Sequence, residues 1–173
     1  MEKGVSDKDM LEGVISNDKD MLEGDMLEGV SLQRLQKEIK TLIEDPLENI
    51  RLVEFKDIRN LKLEITGSSG TLYEDEKYIL SVKIPESYPI DSPEVIFSNT
   101  VPLNEHVYSN GHICLSILYD QWSPALTIKS VCLSIISLLS SARAKKKPAN
   151  DKLYCRISQN RSPKSFKWEY ESN

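Results

Sequence analysis

One cysteine and both histidines of the 173-residue chain fall within a single short stretch, as His106, His112 and Cys114. A thiolate is a strong nucleophile toward acyl carbon, and an imidazole nearby can manage protons. The surrounding stretch, Ser98 to Leu126, has no regular hydrophobic period and also holds Trp122. Long irregular segments inside compact domains usually carry function. Two chemistries are open to this group: carriage of an acyl group on the sulfur of Cys114, or ester hydrolysis by Cys114 with His106 as base. A metal site on His112 and Cys114 lacks two further ligands at suitable spacing, so no metal is expected. Cys132 recurs in a helical apolar stripe and reads as core; Cys155 lies in a basic, poorly patterned tail and is assigned no chemistry.

The elements that must position this stretch are legible on both sides. Ser31 can N-cap a helix whose apolar face is Leu32, Leu35, Ile39, Leu42 and Ile43, with Arg34, Lys37 and Lys40 opposite. Asp45-Pro46 stops it, because the residue before proline disfavours helix. Strand-like runs follow at Ile50 to Lys56, Leu61 to Ile65 and Tyr78 to Ile84, with period-two alternation in the last two. Glu94 to Phe97 reads as a fourth strand, after the bend Tyr88-Pro89-Ile90-Asp91-Ser92-Pro93. Short links such as Gly67-Ser68-Ser69-Gly70 indicate an antiparallel meander. Thr127 can cap a second helix with a wide stripe of Ile128, Val131, Cys132, Ile135, Ile136, Leu138 and Leu139. The order is N-terminal helix, four-stranded antiparallel meander, active-site loop and central core helix, an α+β layout.

Three regions differ in charge. Residues 1–30 carry three Lys against nine Asp or Glu, a balance of −6; residues 31–142 stand at −5; residues 143–173 stand at +6. Residues 1–30 repeat Asp-Met-Leu-Glu-Gly at 9–13, 20–24 and 25–29. The repeats are too short and irregular for a solenoid and too polar to offset chain entropy, so they read as a disordered acidic tail. Residues 31–142 form the folded core. Residues 143–173 show no sustained helical stripe and are expected to be partly ordered, with Tyr154, Ile157, Phe166, Trp168 and Tyr170 packing on the domain or touching substrate. Lys145-Lys146-Lys147 is a short solvated run, so no nucleic-acid partner is expected. No apolar run nears the roughly 20 residues of a membrane span, and the N-terminus lacks a signal-peptide pattern. With three cysteines, an odd number suited to free thiols, the expectation is a soluble cytoplasmic or nuclear protein with no membrane partner.

The segment His106 to Leu118 resembles the catalytic stretch of ubiquitin-conjugating (E2) enzymes. Gln121-Trp122-Ser123-Pro124-Ala125-Leu126-Thr127 lies at the family's distance behind the cysteine, and the Tyr88 to Pro93 bend resembles its Tyr-Pro-Phe-x-x-Pro loop. The blocks span about residues 31–142. The family's His-Pro-Asn triplet aligns with Asn104-Glu105-His106. A histidine at the Asn position, together with the wording of Gly70 to Glu74, Ser109 to His112 and Ser130 to Ile136, is similar to W-type members. Asn104 and Glu105 depart from the His-Pro that those members keep, which bears on the rigidity of the loop.

The resemblance implies the ubiquitin-conjugating fold with an atypical C-terminal segment, and a site. Cys114 would accept ubiquitin as a glycyl thioester from the ubiquitin-activating enzyme; ATP is spent upstream and no cofactor is bound. His106 would take the role of the family's Asn, with Asn104, Leu115, Ser116, Lys146 and Lys147 around the thioester. Lys stands where an acid usually helps an incoming lysine. An α-amine, with a reference pKa of about 7.7–8.0 against about 10.4 for lysine, needs less help. The implied acceptor is therefore the α-amino group of substrates with flexible N-termini, as for W-type members. Arg34, Lys37, Ile90, Ser123, Pro124 and Ala125 would form the surface for RING-type ligases, and the basic helix face would also serve the activating enzyme. Lysine-directed transfer, another ubiquitin-like modifier, and a non-catalytic ubiquitin-binding variant are the alternatives; the presence of Cys114 argues against the last.

Overall fold

The computed structural model describes residues 26–170, with side chains from Gly29 onward. Helix α1 (Met26–Glu44) leads into strands β1 (Ile50–Asp57), β2 (Asn60–Thr66), β3 (Lys77–Lys83) and β4 (Glu94–Ser98). The four pair antiparallel in sequence order, with Leu63 opposite Leu80 and Leu80 opposite Phe97. Leu61, Leu63, Ile65, Tyr78, Leu80 and Val82 all point to one buried face, as period-two alternation requires. A 3-10 turn (Ser116–Leu118) precedes α2 (Ile128–Ser140); α3 (Asp151–Ile157) and a second 3-10 turn (Pro163–Ser165) follow. Among the described residues no helix is long and apolar enough to cross a membrane.

Helix α2 supplies the centre of the core. Val131, Cys132, Ile135 and Leu139 are almost completely buried, so Cys132 is a packing residue. Thr127 caps the helix as the sequence suggests, in a reciprocal box with Ser130. Helix α1 lays Leu35, Ile39 and Leu42 into the same core.

Two expectations need correction. Helix α1 begins at Met26, inside the third repeat copy, and not at Ser31. Ser31 is buried within the helix and its hydroxyl donates to the Tyr88 carbonyl, so a tertiary hydrogen bond replaces the expected cap. The reading of residues 1–30 as a disordered tail lies, for residues 1–25, outside the described residues. The second correction is α3, a helix in the segment where no helical stripe was seen. Its buried positions are Asp151 and Tyr154, with Ser158 at the C-cap, so its inward face is mostly polar and leaves no hydrophobic period.

Candidate active site

Short antiparallel contacts pinch the irregular segment into the shape that presents Cys114. Asn104 bridges to Val107, and Val107 to Ile113. The amide of Cys114 donates to the His106 carbonyl at 2.8 Å, and that of Tyr108 to the His112 carbonyl at 2.9 Å. Gly111 closes the turn at φ +88°, where a Cβ would lie 2.1 Å from the Phe97 carbonyl oxygen. Only glycine fits that approach to β4.

Asn104 answers the question of rigidity. It is fully buried. Its Nδ2 donates to the Tyr73 hydroxyl at 3.2 Å and its Oδ1 accepts from the amide of His106 at 2.9 Å. Tyr73 in turn donates to the Leu103 carbonyl at 2.6 Å. This chain of bonds ties the turn to the core. Asn104 is thus a structural anchor whose side chain is spent.

Cys114 lines a cleft of about 460 Å³. Tyr108 forms one wall, Asn150 and Tyr154 a second, and Trp168 and Tyr170 a third; the charges on its lining are Lys167 and Glu169. Burial pushes the Cys114 thiol up to about 11, so at neutral pH it is almost wholly protonated. Leu115 packs against the core and Ser116 opens the 3-10 turn directly behind the cysteine.

The sequence reading placed Lys146 and Lys147 around the thioester. Neither lines this cleft. Lys146 pairs with Glu105 at 2.9 Å and Lys147 lies 3.9 Å from Asp151. His106 is about half exposed, its Nε2 is 3.9 Å from Glu105, and it does not line the cleft either. The site is also not free of acid, since Glu169 lines it.

Asn150 is a cleft residue that nothing in the sequence singled out; Tyr108 lies within the motif stretch without a role assigned to it, and Tyr154, Trp168 and Tyr170 belong to the aromatic cluster of the basic tail expected to pack on the domain or touch substrate. Their placement follows from how α3 docks. The Asp151 carboxylate accepts from the amide and hydroxyl of Ser109, both at 2.7 Å. Burial opposes its ionisation, but those bonds outweigh it and keep the carboxyl below its ordinary range. The Tyr108 hydroxyl donates to Asn150 at 3.0 Å, Asn110 to Ser158 at 2.9 Å, and His112 Nδ1 meets the Tyr154 hydroxyl at 2.8 Å. Burial holds the His112 imidazole below its ordinary value, against a weaker pull from Glu94. Trp168 then stacks on Tyr119 with centroids 5.0 Å apart and tilts against Tyr154 at 5.4 Å. Lys164 pins the C-terminal strap, residues 159–170, in place: its ammonium donates to Ser92 and to the Leu118 carbonyl.

The proposed ligase surface gathers around Glu38, and its Tyr88 to Pro93 loop meets the C-terminal segment where Lys164 donates to Ser92. The Glu38 carboxylate accepts from Arg34 Nε at 2.9 Å, from the Tyr88 hydroxyl at 2.7 Å and from the amide of Ile128 at 2.9 Å. Arg34 also donates to the Leu126 carbonyl at 2.7 Å, so it is drawn inward as a brace and is not a free surface cation. Trp122 donates to the Pro89 carbonyl at 2.9 Å. These bonds bring α1, the Tyr88 to Pro93 loop and residues 122–126 together, leaving Ile90 71% exposed beside exposed Lys37, Ser123, Pro124 and Ala125.

The comparisons with known proteins agree with this geometry. The family described as "Ubiquitin-conjugating enzyme" matches residues 34–171. Ubiquitin-conjugating enzyme 15 of Arabidopsis thaliana is 43% identical over 148 residues, covering 85% of this chain and 92% of the relative. Ubiquitin-conjugating enzyme E2 W of Caenorhabditis elegans is 42% identical over 146 residues, covering 82% and 95%. The crystal structure of the ubiquitin-conjugating enzyme E2 UbcA1 from Agrocybe aegerita superposes with a TM-score of 0.74 at 37% identity, covering 78% of this chain and 99% of that one.

Proposed function

Because this chain belongs to the ubiquitin-conjugating enzyme family and is of its W type, we propose that Cys114 carries ubiquitin as a thioester and passes it to the α-amino group of substrates with flexible N-termini. The observation that carries the reading is the setting of Cys114. It alone of the three cysteines combines the family's sequence context with a place on a cleft; Cys132 is wholly buried, and the Cys155 sulfur faces Asp151 at 3.6 Å.

In this reading the thiol loses its proton as it attacks the acyl carbonyl of the charged activating enzyme; the new C–S bond forms at Cys114, the donor's C–S bond breaks, and the donor sulfur leaves and takes up a proton as thiol. An incoming amine must then arrive neutral. The α-amine does so near physiological pH, whereas lysine needs an acid or a dry pocket to shed its proton. The two charges lining the cleft, Lys167 and Glu169, offset one another, and the acids Glu105 and Asp151 are engaged by Lys146 and by Ser109. Ile90, Lys37 and the Ser123 to Ala125 loop form the patch for RING-type ligases, with Ile90 as its apolar anchor.

Glu169 favours one second reading. Exposed at the cleft, it has the charge that would orient a cationic lysine. The test is charging with activating enzyme, ATP and ubiquitin on a non-reducing gel, followed by discharge onto free lysine and onto a peptide with a free N-terminus. Faster discharge onto the peptide, lost on N-acetylation, upholds the α-amine reading. Equal discharge, with loss of the lysine reaction in Glu169→Gln, assigns lysine-directed transfer.

A further inference from the structure

Tyr170 lines the Cys114 cleft, and its hydroxyl is buried with no hydrogen-bond partner among the described residues. A buried hydroxyl without a partner loses the bonds that water would give it, a cost of about 1–3 kcal/mol. The strap that carries it is otherwise well bonded. Trp168 stacks on Tyr119 and its indole nitrogen donates to the Pro163 carbonyl at 3.0 Å, while Lys164 donates to the Leu118 carbonyl at 2.5 Å. A braced segment thus brings Tyr170 to the thiol's cleft with its hydroxyl donor unused.

Resting on Cys114 as the thioester residue, we propose that the Tyr170 hydroxyl is the hydrogen-bond donor to the carbonyl oxygen of the acyl group carried there. His106 is half exposed and does not line the cleft, so its imidazole is not placed to be that donor. The neutral amine attacks the thioester carbon. The C–N bond forms and the carbonyl π pair moves onto oxygen, where the O–H of Tyr170 stabilises it without giving up its proton. Collapse restores the carbonyl, breaks the C–S bond and releases Cys114 as thiolate, which takes up the proton that nitrogen sheds, directly or through water. Burial, with the nearby Cys114 and Asp120 charges, raises the pKa of the phenol, which keeps it protonated and a donor throughout the working range.

The experiment uses Tyr170→Phe in the full-length chain, which keeps the ring and removes only the donor. Wild type and variant are charged to completion, the activating enzyme is quenched, and single-turnover discharge is followed on both free lysine and a peptide with a free N-terminus. One oxyanion donor is worth about 100–1,000-fold in rate where measured. The expected result is at least a tenfold fall in the maximal discharge rate with both acceptors, half-saturating acceptor concentration unchanged, and a thermal midpoint that does not fall, since the hydroxyl removed has no partner in the fold. Trp168→Ala, which frees the strap, lowers the rate similarly and adds little on top of Tyr170→Phe. A Tyr170→Phe protein that charges and discharges at wild-type rate overturns the role of Tyr170 alone. A wild-type protein that forms no thioester removes the reading of Cys114 and this inference with it.

Discussion

The backbone amide of Cys114 donates to the carbonyl of His106 at 2.8 Å, setting the two residues side by side across a narrow turn. Their side chains nonetheless part company: the thiol lines the cleft and the imidazole lies at the exposed rim beside Glu105. The proximity that sequence spacing suggests is therefore a backbone proximity. Hydrolysis with His106 as base would need the imidazole to swing into the cleft, and acyl carriage on Cys114 needs no such movement.

The nucleophile is the first test. Cys114→Ser is expected to form a ubiquitin ester that survives thiol reductant, and Cys114→Ala to form no adduct. Cys155→Ala should charge normally. Cys132→Ala should also charge, at a cost of about 1 kcal/mol in stability from the small cavity it opens. Denaturant midpoints and a non-reducing gel read both outcomes.

Reactivity should follow pH in a set direction. Burial raises the Cys114 thiol to about 11, so the reactive thiolate is scarce at neutral pH and grows about tenfold for each unit of pH below that value. In a Cys155→Ala background, the alkylation rate of Cys114 by iodoacetamide should climb in this way from pH 7 to pH 10. A plateau by about pH 9.5 would mean an ordinary thiol, and one already at pH 8 an activated thiol.

His106→Asn probes the acceptor. If His106 acts in α-amine transfer from the rim, discharge onto a free N-terminal peptide should fall several-fold while charging at Cys114 changes by less than twofold. A variant that discharges as fast as wild type would reduce His106 to a loop residue.

On the ligase face, Ile90→Ala removes the exposed apolar anchor and Lys37→Glu reverses a surface charge. Each is expected to cut RING-stimulated discharge about tenfold or more, as truncation of an interface anchor typically does. Ile90→Ala should leave charging intact. Stimulation unchanged across several RING ligases would sink this interface.

Glu38→Ala tests what holds that face together. Its carboxylate receives Arg34, the Tyr88 hydroxyl and the Ile128 amide. Removing it strands buried donors, so a loss of about 2–4 kcal/mol is expected by denaturant titration. Glu38→Gln, which keeps an acceptor, should recover part of the loss.

Much of the fold was determined by the sequence alone, because its signals are local. The i, i+4, i+7 spacing of Leu35, Ile39 and Leu42 is a helix face wherever it occurs, and the alternation of Leu61, Leu63 and Ile65 is a sheet face. Thr127 needs only Ser130, three residues on, to cap α2. The motif around Cys114, on which the proposal for that residue rests, is contiguous and therefore readable in the sequence. Other features were decided only by tertiary structure. Ser31 looks like a cap until Tyr88, 57 residues away, takes its hydroxyl. Arg34 looks like a surface cation until the Leu126 carbonyl and Glu38 draw it in. Helix α3 docks through Ser109, Asn110 and His112 by polar bonds that leave no apolar period to read. The cleft around Cys114 has the same origin. Its third wall comes from residues more than 50 positions further along the chain, and only the docking of α3 and the stacking of Trp168 on Tyr119 bring Trp168 and Tyr170 to the cleft that Cys114 lines.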